Sequence, residues 1–404
     1  MPFPPPDLAP LDAILPSEPL LLMGAGPVPI PHAVARANGV VINHLGETMD
    51  RVIHHLKEMA RYAFQTRCDK IMGVAGPASA AMEMAVANLV WRGRRVLCLK
   101  TGTFSGRLGE MATCVGADLT ILEPETGRPV SADAVRVALA KKKFDVVTLV
   151  QGETSCGVLN GELPEIARLA REHGALTIVD AVVTLSTMPL EMDRWGLDVV
   201  VTGGQKGLSS IPGVSLIAFS DSAWKAIEKR REPPTHWCLD AVRAQRFWGE
   251  HQYHYTAPVP GILALYEALR LVCAEGLVAR HERHRISSRS LQAGLEAMGL
   301  RLFIPSEHRL DSVVAIEVPS DGLRPVDAKA VLSYMSRKFR VEISGSFGLD
   351  IVRVGQMGEQ CRSHNLFKAL YATGMSFRHF GVRLDVSEGL AELERALTRE
   401  QEFE

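Results

Sequence analysis

Apolar residues recur at helical spacing over 49–64 and over 79–90, and both segments predict amphipathic helices. Between and beyond them lie short, mostly apolar runs at 95–99, 120–122, 146–150, 176–179, 199–202 and 215–219. Such a run, too short for a helix and lacking polar alternation, predicts a strand buried on both faces. Helical patterns over 132–140 and 165–173 fall between the runs. Strand alternating with helix over this length predicts an α/β layer with a largely parallel sheet, and right-handed crossovers put helices on both of its faces.

The pattern changes near Pro258 and Pro260. Long helices are predicted over 261–275 and 278–298. Strands follow at 313–318, 341–344 and 352–354, with a helix over 328–338 and a last helical region after His364. This describes a smaller α+β unit. At the other end, Pro2, Pro4, Pro5, Pro6, Pro10, Pro16 and Pro19 argue against a regular helix and for an extended arm. The expected division is an arm over 1–20, a large domain over 21–280 and a small domain over 281–404.

Composition narrows the class. The chain has 404 residues, 45 Lys+Arg against 46 Asp+Glu, which argues against the basic face that nucleic acid or an anionic membrane selects. Its seven cysteines are scattered, and no Cys-x-x-Cys occurs, so neither a disulfide framework nor a zinc cluster is expected. No apolar run of about 18 residues predicts a membrane span. The first 20 residues lack the basic-then-apolar order of a signal peptide, and Glu402-Phe403-Glu404 matches no simple address signal. A cytoplasmic protein is expected.

Ligands of an open α/β sheet bind beyond the carboxyl ends of its strands. There stand Gln151-Gly-Glu-Thr154-Ser-Cys-Gly157, Asp180-Ala181 and Thr202-Gly-Gly-Gln205-Lys206-Gly207. Taken singly, Asp180 suits a helix cap, Lys206 a solvated turn, and Gly76-Pro-Ala78-Ser79 a turn before a helix. Taken in this order, they match the needs of pyridoxal phosphate. That cofactor requires a lysine amine for its aldehyde, an acid for its pyridine nitrogen, and helix-start amides and hydroxyls for its phosphate.

The sequence resembles the fold-type I, class V aminotransferases, in particular the alanine–glyoxylate and serine–pyruvate group. The resemblance runs from about 21 to about 397. Gly24-Ala-Gly26-Pro27, Phe64-Gln-Thr-Arg67, Gln151–Val158, Ile178-Val-Asp180, Asp193-Arg-Trp-Gly-Leu-Asp198, Gly203–Gly207, Tyr253-His-Tyr-Thr256 and Val352-Arg353-Val-Gly355 carry it. It implies a large domain with a mostly parallel seven-stranded sheet and a small α+β domain. It implies Lys206 as the catalytic, cofactor-holding lysine and Asp180 at the pyridine nitrogen. It places Thr154 near the ring's phenolic oxygen, Phe104 over the ring, and Ala78, Ser79 and Gln205 at the phosphate. Arg353 and Gly26 fall at the substrate, with Arg353 gripping its carboxylate. Tyr253 and Thr256 match a segment that reaches the phosphate of a neighbouring subunit, so a homodimer with shared sites is implied. The implied reaction moves an amino group from alanine or serine to glyoxylate or pyruvate in two half-reactions.

Three departures stand out. Phe104 takes a position where many family members have tryptophan, Pro77-Ala78-Ser79 replaces the usual Ser-Gly-Thr/His, and Ala25 stands where proline is common. They bear on the identity of the donor, for which ureidoglycine–glyoxylate and pyridoxamine–pyruvate aminotransferases are alternatives. The second would want an extra acid near Pro77. A desulfurase would carry a cysteine on the C-terminal loop, and Gly345-Ser-Phe-Gly-Leu-Asp350 has none. His281 and His284 are expected on a solvated helix face, and Cys156 is the one thiol expected near the site.

Overall fold

A computed structural model describes residues 9–319 and 326–401. The first four prolines of the arm and the C-terminal 402–404 lie outside the described residues. Seven strands form the central sheet: β1 (Ile71–Ala75), β2 (Arg95–Leu99), β3 (Asp118–Leu122), β4 (Val146–Val150), β5 (Leu176–Asp180), β6 (Val199–Gly203) and β7 (Val214–Phe219). Their spatial order is β3-β2-β4-β5-β6-β7-β1. Within the run from β3 to β6 neighbouring strands pair in parallel, and β7 is antiparallel to both β6 and β1.

The sheet's burial follows from its sequence. Every residue of β4, β6 and β7 is buried, as runs without polar alternation require. The helices Ala78–Leu89, Thr103–Cys114 and Leu163–Glu172 leave the carboxyl side of the sheet or return to it, and their apolar faces join its main core. The strand order reverses direction between β2 and β4, so the ends of the central strands open a crevice at one edge.

β1 is a strand that the apolar pattern did not announce, because Gly73 interrupts it. That glycine is where the helix Ala241–Glu250 comes closest: a Cβ there would lie 2.2 Å from Trp248 Cζ2. Glycine inside a strand often marks such a close approach.

A second core gathers Leu291, Leu295, Met298, Val314, Ile316, Val352, Leu366 and Leu393. It is built from the helices Leu277–Ala297, Ser363–His379 and Val386–Gln401 and from the antiparallel pair Val313–Glu317 with Ile351–Gly355. The N-terminal strand Leu21–Leu22 pairs in parallel with Val341–Glu342, and Met23 is fully buried in this second core. Residues 21–23 thus pack with the C-terminal unit and not with the main sheet.

The arm also differs from expectation. Leu11–Ile14 forms one helical turn directly after Pro10. These four residues contain no proline, so nothing prevents the turn.

Candidate functional site

Gly26, Ala78, Ser79, Phe104, Thr154, Asp180, Gln205 and Lys206 line one cleft of about 290 Å³ at the carboxyl ends of the central strands. Residues separated by up to 180 positions meet here: Phe104, Thr154, Asp180, Gln205 and Lys206 end or follow parallel strands, Ala78 and Ser79 follow β1, and Gly26 comes from the N-terminal segment. Pro27, Met82, Arg107, Val182 and Pro212 complete the lining. Arg107 was not anticipated, although it lies three residues after Phe104 on the helix Thr103–Cys114 and so shares its face.

Lys206 follows β6 and turns back across the cleft. Its Nζ donates to the Ala25 carbonyl. Burial pushes the amine down to about 8, with the Arg353 charge lowering it further and Asp180 opposing. Asp180 ends β5, and its Oδ1 accepts from the Val182 amide at 2.8 Å. Burial pushes its carboxyl up to about 7. The Val182 bond, Lys206 and Arg107 act against that rise, and Glu153 adds to it.

The N-terminal strand delivers the opposite wall. Ala25 N donates to Ser344 Oγ at 3.0 Å, and Gln360 Nε2 donates to the Leu22 and Gly24 carbonyls at 2.9 and 2.8 Å. These bonds set Gly26 against Lys206. A Cβ on Gly26 would lie 2.5 Å from Lys206 Cδ, and its φ of +97° favours glycine.

The helix Ala78–Leu89 begins at the cleft, with Pro77 as its N-cap. Its first amides, on Ala78 and Ser79, have no intrahelical acceptor and suit an anion. Gln205 Oε1 is buried without a partner. Arg107 Nη1 donates to Ser79 Oγ at 3.3 Å, and its guanidinium carbon lies 4.9 Å from the Phe104 ring centroid.

Glu153 is fully buried and holds the start of the helix Thr103–Cys114. Its carboxylate accepts from Phe104 N at 3.2 Å, Ser105 N at 2.9 Å, Ser105 Oγ at 2.8 Å, Ser155 N at 3.1 Å and Ser155 Oγ at 2.6 Å. The arrangement fixes the backbone beneath Phe104. The sequence motif contained Glu153, but nothing in its spacing revealed this role.

Arg353 lies in the strand Ile351–Gly355, next to the cleft and largely buried. Nη1 donates to the Thr154 carbonyl at 2.6 Å, Nε to the Gly345 carbonyl at 2.9 Å, and Nη2 also to Gly345. A guanidinium carries five N–H groups, so one on each Nη remains available.

Tyr253 and Thr256 do not join the cleft of their own chain. Both are exposed, Tyr253 at 59%. Other residues of the quoted motifs have structural work. Asp193 accepts from Thr66 Oγ1 and from Arg67 N at 2.8 Å, which ties the end of the helix Glu47–Phe64 to the short helix Met192–Trp195.

One expectation needs correction. His284 is not on a solvated face: it is fully buried, with Nδ1 bonded to the Arg280 carbonyl at 2.6 Å and Nε2 accepting from Gly358 N at 3.0 Å. Burial holds it well below the usual histidine range, so it is a neutral link between the helix Leu277–Ala297 and the turn after Met357. The apolar pattern misled because that helix buries Ser287, Ser288, Ser290 and Arg280 as well. Cys156 is near the site in sequence yet sealed, with burial pushing its thiol up to about 12, which leaves no nucleophilic thiolate near neutral pH.

Sheet order and a lysine-centred cleft at the strand ends define a fold-type I transferase. The family model described as aminotransferase class-V matches residues 31–349. An alanine–glyoxylate aminotransferase of Drosophila melanogaster is 33% identical over 96% of this chain and 100% of its own length. Among solved structures, an alanine–glyoxylate aminotransferase from Nostoc sp. superposes with a TM-score of 0.87 at 33% identity, covering 92% of this chain and 98% of that one. A pyridoxamine–pyruvate aminotransferase from Mesorhizobium loti superposes with a TM-score of 0.90 at 26% identity, covering 95% and 98%. The chain belongs to the class V aminotransferases.

Among the described residues no helix is long and apolar enough to cross a membrane.

Proposed function

We propose that this aminotransferase uses pyridoxal 5'-phosphate to move the amino group of a small amino acid, alanine or serine, to glyoxylate or pyruvate. The observation that carries the reading is the meeting of Lys206, Asp180, Thr154 and Phe104 in one cleft beside a buried arginine with free N–H groups. The relatives named for alanine and glyoxylate favour those two substrates over the alternatives.

The residues fit the cofactor. Gln205 Oε1 is a buried acceptor without a partner, suited to a protonated or water-bridged phosphate oxygen, and its amide can donate. The Ala78 and Ser79 amides and the Ser79 hydroxyl supply donors for an anion. Phe104 offers an aromatic face for the ring, and Thr154 in the same cleft would hold it by hydrogen bonding. When bound, the cofactor supplies the electron sink that makes a substrate Cα–H acidic.

The chain's own residues do the rest. Lys206 Nζ, half neutral near pH 8, would hold the cofactor and, once released, would take the proton from the substrate Cα. Asp180 would pair with the protonated ring nitrogen, whose positive charge would keep its buried carboxylate ionised. Arg353 grips the substrate carboxylate with its two remaining N–H groups, a planar match that lysine cannot make.

The exposure of Tyr253 and Thr256 supports their reaching a second copy of the chain, and so a homodimer with shared sites. The two cores support a division close to residue 280, with 21–23 attached to the C-terminal unit. The seven free cysteines fit a reducing compartment, and the cytoplasm is our choice.

A half-reaction titration tests the activity. L-Alanine should convert the cofactor spectrum to its aminated form, and glyoxylate should restore it. Lys206→Ala should lose the borohydride-reducible link to the cofactor. A normal reducible link in that variant, or a spectrum that no amino acid changes, would sink the reading.

A further inference from the structure

We propose that Phe347 sets the size of the amino donor by walling the space that the donor's side chain enters. The inference rests on the reading of the cleft given above and goes beyond it to a residue that none of the motifs assigned.

Phe347 lies in the segment that joins Val341–Glu342 to Ile351–Gly355. Its ring meets that of Phe104 edge-on, with centroids 6.0 Å apart and an interplanar angle of 85°. On another side the Arg353 guanidinium carbon lies 5.7 Å from its centroid. One ring therefore touches both the residue that faces the cofactor and the residue that holds the carboxylate.

The segment is pinned, so the ring has a defined place. Ser346 Oγ donates to the Ser155 carbonyl at 2.8 Å, and the neighbouring Gly345 carbonyl accepts from Arg353 Nε at 2.9 Å. Yet Phe347 is 58% exposed, which leaves a large apolar side chain outside every packed core. Its ring packs instead on Phe104 and the Arg353 guanidinium, the residues that the reading above assigns to the cofactor and the substrate carboxylate.

The geometry follows from two anchors. A donor whose carboxylate is on Arg353 and whose Cα faces Lys206 has one free direction for its side chain. Phe104 and Phe347 border that space from two sides. A methyl or hydroxymethyl group fits beside the rings, and a branched or aromatic group collides with them.

The test uses the holoenzyme with Phe347→Ala, Phe347→Leu and Phe347→Tyr. Half-reaction kcat/KM is measured for alanine, serine, 2-aminobutyrate, leucine and phenylalanine. The leucine-to-alanine ratio should rise on the order of tenfold or more in Phe347→Ala, since one or more methylenes of pocket space decide selectivity on that scale. It should rise less in Phe347→Leu and stay at the wild-type ratio in Phe347→Tyr. An unmoved ratio in both truncations overturns the proposal. So does an equal loss for every donor, which would mean that Phe347 only orients Arg353. A wild-type enzyme inert toward all donors would overturn the underlying aminotransferase reading instead, whereas an active wild type with an unmoved ratio overturns this inference alone.

Discussion

Gly26 and Lys206 are in such close contact that a methyl on the glycine would stand 2.6 Å from the lysine Nζ. The lysine amine simultaneously bonds to the carbonyl of Ala25. The N-terminal strand thus decides where the reactive amine can point, although 180 residues of chain separate Gly26 from Lys206. Gly26→Ala should displace the amine and also strain a backbone with φ of +97°. We expect kcat to fall about 100-fold, the scale of an ångström of misplacement, with the fold retained. Steady-state kinetics alongside circular dichroism check this, and an active alanine variant would show that the contact is not restrictive.

Arg353 already gives three N–H groups to the Thr154 and Gly345 carbonyls. Arg353→Lys would lose both those anchors and the planar pair of remaining N–H groups. KM for the amino donor should rise roughly 10- to 100-fold, the equivalent of about 1.5–3 kcal/mol for hydrogen bonds to a charged group. Cofactor affinity should change much less, which fluorescence titration can separate from KM.

The Lys206 amine titrates at about 8 in the folded protein, below an ordinary lysine. In the cofactor-free enzyme its reactivity toward an aldehyde should therefore climb with pH and level off above about 8. Because the unfolded chain binds this proton more tightly, the burial penalty eases as pH rises from about 8 toward the ordinary lysine value. Arg353→Leu removes a nearby positive charge, so the reactivity midpoint should move upward. A midpoint that stays put would show that the arginine's charge is not felt at the amine.

Asp180 shows the opposite pattern. Its carboxyl titrates at about 7 when folded, above the ordinary value, so the native state keeps a proton that the unfolded chain has already released. Its contribution to the stability of the cofactor-free protein should decline as pH rises between about 4 and about 7. Asp180→Asn should remove that slope. Denaturant midpoints at several pH values, compared between the two proteins, measure it.

Glu153 is the buried acceptor for three backbone amides and two hydroxyls, with the Phe104 and Ser105 amides at a helix start among them. Glu153→Gln puts an NH₂ group against N–H donors. We expect a loss of about 2–3 kcal/mol, the scale of charge-assisted bonds left unmade, in chemical denaturation. Activity should fall too, because the same bonds hold Phe104. A variant as stable as wild type would mean that the network reorganises freely.

Much of the site could be read from the chain because strand ends are visible as apolar runs. Asp180 and Lys206 directly follow or terminate such runs, and topology brings the ends of a parallel sheet to one edge. Arg107 and Glu153 were hidden for different reasons. Arg107 needed the helix start to be known to within a residue before its face could be assigned. Glu153 is a charge with no ionic partner in the sequence neighbourhood, and only folding surrounds it with donors. His284 was misplaced because polar residues around it suggested solvent, whereas the helix that carries it is wedged between other elements.

The sequence by itself determined the class of fold, the alternation of strand and helix, and the identity of the groups able to do the chemistry. Local pattern suffices for these, since burial on both faces demands continuous apolar runs and each functional group has its own donors and acceptors. Only the tertiary structure decided which groups meet. It paired Leu21–Leu22 with Val341–Glu342, so that Gly26 reaches Lys206, and it set Phe347 between Phe104 and Arg353. Those contacts join positions far apart in the chain, and no local periodicity encodes them. The packing of the whole fold does.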